Sequence, residues 1–419
     1  MTRSARGLLR GGVAMIADWC GVALLIATTW QMYFAVDTPL QVLALITGMA
    51  GVIASFADRE ADRRLPLSIP IYAGVLLTIT AFNHWPAEAL TIVERADRLF
   101  EPSVFAAVMV VFLYGAAHLL RTPQRMAIMV SFMTVCVLVL AVEIMFDRAS
   151  TGFVYERAGA ESTPSVPNWG GIHGASLFLT LTLPLVLAAP MVVPNNLTLW
   201  AASAILGGGL LLAGYLNGSR GGLLAMTVAA FAMPLIVLAP KSLRARLVYW
   251  GAILASFTAL VAFFIVWRRQ HVGFEFLSFR DFAWKSAVDI FREHPWFGIG
   301  PGNYANAILS RGGAPDLQFV NAHNLFLQTA AETGVFGLLS LIAFLFGMFR
   351  ASWSAWSTRR APILSLGLLA AFLGFLAHSM TENFWMARIQ VERTRLLVWL
   401  TFALILALSR LPYSAPRGD

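Results

Sequence analysis

The chain has 419 residues, 58% of them hydrophobic and 12% charged, with a mean hydropathy of +0.71. An average soluble domain carries about 25% charged residues, so a soluble globular domain is excluded and a membrane protein is implied. The net charge of +8 does not mark a nucleic-acid partner, because the basic residues sit in short clusters between apolar runs, as in cytoplasmic loops.

Apolar runs recur at 12–35, 38–56, 66–83, 104–120, 126–146, 174–193, 197–215, 222–239, 248–267, 335–350, 362–380 and 395–410. A helix of about 20 residues crosses ~30 Å of hydrocarbon and satisfies its own backbone hydrogen bonds. The expectation is an all-α polytopic membrane protein of about 12 transmembrane helices, with residues 1–419 forming a single integral membrane domain. Arg3, Arg6 and Arg10 precede the first run, and no small-residue cleavage site follows. That run therefore reads as a retained span rather than a removed signal peptide. Cys20 and Cys136 both fall in spans, so no disulfide framework is expected.

Even parity puts both termini on one side. The short loops there hold Arg59, Arg63 and Arg64, then Arg121 and Arg125, then Lys241, Arg244 and Arg246, then Arg350, Arg359 and Arg360. This excess makes that side cytoplasmic. The opposite face receives 84–103, 147–173, 216–221, 381–394 and a large polar insert, 268–334, between spans 9 and 10. Arginines on that face, including Arg148, Arg157, Arg220, Arg268, Arg269, Arg280, Arg292, Arg311 and Arg388, are not explained by topology.

Three outward stretches carry chemistry. In Asn217-Gly218-Ser219-Arg220-Gly221-Gly222, Ser219 is a helix N-cap and Arg220 lies in the first helical turn. The macrodipole disfavours a cation there, which makes sense if an anion is bound too. The competing reading is an arginine reaching to lipid headgroups. In 279–304, Trp284, Ala287/Val288 and Phe291 recur at helical spacing behind Arg280, and Pro295 ends the run. Such a helix is expected along the membrane surface, apolar face down, with Arg280 either on lipid phosphate or aimed into a substrate cleft. In 321–334, a short helix runs from Asn324 to Thr333 and stops at Gly334. His323 sits at its N-terminal edge, where helix amides favour the neutral ring, which can accept a proton.

No H-E-x-x-H, C-x-x-C or P-loop pattern occurs, and no D-x-D pair lies in the outward loops. His173, His271, His294 and His323 show no metal-ligand spacing. Asp18 and Glu143 are the main charged residues within spans, fewer than a proton-driven transporter usually carries.

In this order and spacing, Ser219-Arg220-Gly221, Arg280-x-x-x-Trp284, the Pro295-Trp296-Phe297-Gly298-Ile299-Gly300 turn and Ala322-His323-Asn324 before Glu332-x-Gly334 make the chain resemble the bacterial O-antigen ligase family. The resemblance is strong over 200–350. It implies a GT-C-like enzyme of the inner membrane with its active site facing the periplasm. Such an enzyme transfers a glycan from undecaprenyl diphosphate to the lipid A-core oligosaccharide, in lipopolysaccharide biosynthesis. It further implies an inverting reaction without metal or other cofactor. Arg220 and Arg280, with Ser219, would hold the diphosphate, and His323 would activate the acceptor hydroxyl. Arg148, His173, Asn324 and Arg388 are second-tier candidates on the same face. A polymerase of the superfamily would use a second lipid-linked glycan as acceptor. A protein O-oligosaccharyltransferase would use Ser or Thr, and usually carries a larger periplasmic C-terminal part than Leu411–Asp419 provides. A lipid-glycan flippase is the alternative of a different class, although transporters tend to show internal repeats and midplane polar sites.

Overall fold

The apolar runs fold as helices. The computed structural model describes residues 3–34, 40–58, 66–84, 107–150, 171–240, 242, 244–245, 247–248, 251, 280–310, 321–384 and 392–412. In chain order the helices are α1 (Arg3–Phe34), α2 (Leu40–Ala57) and α3 (Ser68–His84), then α4 (Ala107–Leu119). They continue with α5 (Pro123–Ser150), α6 (Gly171–Val192), α7 (Leu197–Asn217) and α8 (Arg220–Val237). The last five are α9 (Arg280–Glu293), α10 (Tyr304–Ser310), α11 (Leu325–Ser357), α12 (Pro362–Ser379) and α13 (Glu392–Ser409). No strand occurs among the described residues.

Six of these helices, α5, α6, α7, α8, α11 and α12, are long and apolar enough to cross a membrane; shorter apolar helices lie in α2, α3 and α4. The protein is therefore a polytopic helical membrane protein. Expected span 248–267 falls outside the described residues apart from 248 and 251. Large apolar side chains such as Ile205, Phe231 and Phe346 are exposed on these helices, as a lipid surround allows.

α12 packs closely against α6 and α8. Small residues along α12 permit it: Ser365, Gly367, Ala370, Ala371 and Gly374 are all buried, and small residues let membrane helices approach closely. α3 packs on α11, and α5 on α7.

The expected apolar face of α9 is met at Ala287, while Trp284 and Phe291 are only half-buried; the fully buried stripe is Ala283, Ala287 and Ile290. Ala287 and Ile290 join Tyr304, Ile308, Ala322 and Ala331 in a small core of their own. The alanines bring α9 close to α11, which the larger Trp284 and Phe291 could not.

α11 bends at Gly334, where φ is 64° and ψ −165°. This is a conformation that glycine adopts without steric cost. The bend exposes carbonyls of the preceding turn, and the 295–300 turn takes them up. Ile299 N donates to Ala331 O (3.1 Å) and Gly300 N to Glu332 O (2.8 Å), while Val335 N donates back to Pro295 O (2.8 Å). Gly298, itself at φ 66°, presses against the Glu332 backbone, where any Cβ would collide. The 295–300 turn and the Glu332-x-Gly334 stretch are thus two halves of one joint. It fixes the direction in which the N-terminus of α11, and so His323, is presented.

Candidate functional site

His323 occupies the left-handed region, with φ 48°, an uncommon and strained state for a residue with a Cβ. Two asparagines hold it there. His323 N donates to Asn321 Oδ1 (3.0 Å), and Asn324 caps α11 by accepting from Phe326 N and Leu327 N (3.0 Å each). Asn324 Nδ2 also donates to Met380 O (3.0 Å), tying this turn to the end of α12.

That end of α12 supplies Glu382, which is 3% exposed. Its backbone N donates to His378 O (2.9 Å), so the residue continues the last helical turn. His323 Nδ1 lies 2.9 Å from Oε2. Arg280 Nη2, from the first residue of α9, donates to Oε1 at 2.6 Å. His173, from the start of α6, brings Nδ1 to 3.1 Å from Oε1, close but outside hydrogen-bond alignment. The two imidazoles meet edge to face, with centroids 6.1 Å apart. Burial alone raises the Glu382 pKa. The His173 ring, the His323 hydrogen bond and charge, and the Arg280 guanidinium outweigh it and hold the carboxyl down at about 2. Glu382 is therefore an anion at neutral pH. A proton on His323 Nδ1 would be donated to this anion, leaving the lone pair on Nε2.

The 217–222 stretch abuts this cluster. Gly218 closes α7 in the left-handed conformation (φ 78°), and Ser219 caps α8 by accepting from Gly222 N (3.1 Å). Ser176 Oγ donates to Ser219 Oγ (3.3 Å) and lies 3.3 Å from His378 Nε2. Gly221 packs so closely on Thr381 that no side chain would fit, which sets the N-terminus of α8 one residue from Glu382. Arg220 is exposed in the first turn of α8. It lines a cleft of about 280 Å³ with Arg148, Tyr215, Ser219 and Leu223 among others. Arg148 is buried, its Nε donating to Leu216 O at 2.8 Å.

The structure thus brings His323, Arg280, His173 and Asn324 directly together, and joins Ser219 to them through Ser176. Arg220 and Arg148 share the adjoining cleft, and Arg388 lies outside the described residues. Arg280 points inward, its side chain 22% exposed, rather than along a membrane surface. Sequence reasoning missed Glu382 and His378. Their one signal is position: they sit where an apolar run ends and the 381–394 stretch begins, with no motif around them. Among the described residues, no group of three or more His, Cys, Asp or Glu is arranged to hold a metal ion.

Fold and site together define a polytopic membrane protein with a buried carboxylate that gathers histidines and an arginine at one end of its bundle. Residues 202–342, about a third of the chain, match the family model described as O-Antigen ligase, which supports a place in the O-antigen ligase superfamily. The stretch contains Ser219, Arg220, Arg280, His323 and Asn324, but not His173 or Glu382. No curated protein matches the chain.

Proposed function

We propose that the protein is an O-antigen ligase that transfers a glycan from undecaprenyl diphosphate to the lipid A-core oligosaccharide. In this reading the chain is one integral domain of about 12 spans in the bacterial inner membrane. Both termini are cytoplasmic, and the 268–334 insert and the site face the periplasm. The observation that carries the proposal is the meeting of His323 and Arg280 on one buried carboxylate beside the helix N-terminus that bears Arg220.

The chemistry is a single inverting displacement without metal. The acceptor hydroxyl oxygen attacks the anomeric carbon while His323 Nε2 takes its proton. The glycosidic C–O bond breaks, and its electron pair leaves on the diphosphate of the lipid carrier. Arg220 and Arg280 stabilise the growing negative charge, and the α8 N-terminus adds its dipole. The leaving group departs as an anion and needs no general acid.

The test is an assay of purified protein with the lipid-linked donor and lipid A core. Glycan joined to the core is the expected product. Lengthened lipid-linked glycan would make it a polymerase, and glycan on a Ser/Thr peptide a protein transferase. Donor translocated with no covalent product would make it a flippase.

A further inference from the structure

We propose that Glu382 is the positioning residue of the transfer reaction, a single carboxylate that sets the tautomer of His323 with one oxygen and the place of Arg280 with the other. The inference rests on the glycan-transfer reading above and adds to it a residue outside the matched stretch.

The geometry divides the work of the carboxylate. Oε2 meets His323 Nδ1 at 2.9 Å, and Oε1 meets Arg280 Nη2 at 2.6 Å. A carboxylate 3% exposed is costly to bury unless cations meet it. Every charged or titratable group facing it in the described residues is basic: His173 from α6, Arg280 from α9, His323 ahead of α11 and His378 from α12. Burial opposes ionisation, yet the carboxyl is held down at about 2, so it keeps its charge throughout any working pH. Three segments distant in sequence therefore share one anion. The strained backbone of His323, φ 48°, persists because the side chain and its two asparagine neighbours are fixed.

Two consequences follow for the reaction. A proton held on Nδ1 aims the lone pair at Nε2, so the ring cannot present the wrong nitrogen to the acceptor. When Nε2 takes the hydroxyl proton, the imidazolium formed lies against an anion, which stabilises it, as in other carboxylate–histidine pairs. Glu382 touches no substrate. It acts through His323 and Arg280, and the distance between the base and the cation becomes a property of one side chain.

The test combines a spectrum and turnover. In ¹⁵N-histidine NMR of the full-length protein in nanodiscs, His323 should carry its proton on Nδ1. Glu382→Gln should abolish that preference while the signals of distant histidines stay in place. Turnover of Glu382→Gln should fall on the order of 10²-fold or more, chiefly in kcat. Glu382→Asp, which keeps the charge on a shorter arm, should recover part of it and serves if the Gln variant does not fold. An Nε2-protonated His323 in the unmodified protein overturns the proposal, as does wild-type turnover of both variants. The spectrum reads the pair whether or not glycan is transferred. Normal transfer by His323→Ala would sink both readings. Loss of transfer in His323→Ala beside normal turnover of the Glu382 variants would sink this one alone.

Discussion

Two buried carboxylates organise opposite ends of this protein, and they are built differently. Asp18 of α1 is gripped by Arg121 and Arg125, where α4 gives way to α5. Each arginine reaches both oxygens, at 2.6 and 3.2 Å for Arg121 and 3.0 and 2.7 Å for Arg125. Glu382 takes one hydrogen bond on each oxygen, and its neighbours are left incomplete. Arg280 Nε, His173 Nδ1 and His378 Nδ1 are buried without a hydrogen-bond partner among the described residues. Arg125 and Arg148 sit at the two ends of α5, about 35 Å apart at the helical rise, and Arg148 lines the cleft beside the Glu382 cluster. A saturated ion pair holds helices together. An unsaturated one keeps donors in reserve for a ligand.

The contrast is sharpest in turnover. His323→Ala should lower transfer per folded molecule by about 10²–10⁴, whereas Asp18→Asn should lower stability and leave transfer per folded molecule unchanged. A single-turnover assay with preloaded donor reads the first, and transfer at wild-type rate would remove His323 as the base. Next in size, Arg280→Ala and Arg220→Ala should each cost on the order of 10²–10³ in rate. Lysine at either position should recover only part of the loss, because the planar fork is gone. Binding of undecaprenyl diphosphate checks the assignment directly, and unchanged affinity in both variants would exclude them as diphosphate ligands.

How much of this was legible beforehand depends on whether the signal was local. Helices could be read from apolar length, the Ser219 cap from its side chain, and the Gly334 break from glycine alone. His323 and Arg280 stood out because each sits at the start of a helix in the long polar stretch between apolar runs. Glu382 was not legible, since its role exists only once α6, α9, α11 and α12 have packed, and nothing in Thr381-Glu382-Asn383 signals that its partners lie 59 and 102 residues away. The α9 face was only partly legible for a related reason: Ala287 could be read from the spacing, but close packing on α11 also buries Ala283 and Ile290 ahead of the larger Trp284 and Phe291.

Acid should test the Glu382 carboxylate directly. The Glu382 carboxyl lies at about 2 against an ordinary 4.5. A carboxylate whose folded pKa is depressed stabilises the fold at all pH above the ordinary value and loses that contribution as pH falls toward the folded one. Thermal stability in detergent should therefore drop as pH falls from about 4.5 toward 2, and Glu382→Gln should flatten part of that slope. An unaltered slope would mean that the carboxyl is not held as an anion.

The smallest effect belongs to Asp18→Asn. Removing one partner from a fully buried ion pair costs about 3–5 kcal/mol, because the other charge is stranded. Here the stranded groups are not fully buried: the Arg121 and Arg125 side chains are 35% and 18% exposed. Arg121 also has a second anion, its Nε lying 3.6 Å from Asp58 Oδ2. An amide oxygen at 18 can still accept one of the hydrogen bonds. The cost should then fall to about 1–2 kcal/mol, read as a shift of a few degrees in thermal unfolding, with transfer per folded molecule unchanged. A loss of turnover without a loss of stability would mean that the Asp18 end of α5 communicates with the site about 35 Å away, and that the division between a structural and a chemical carboxylate is wrong.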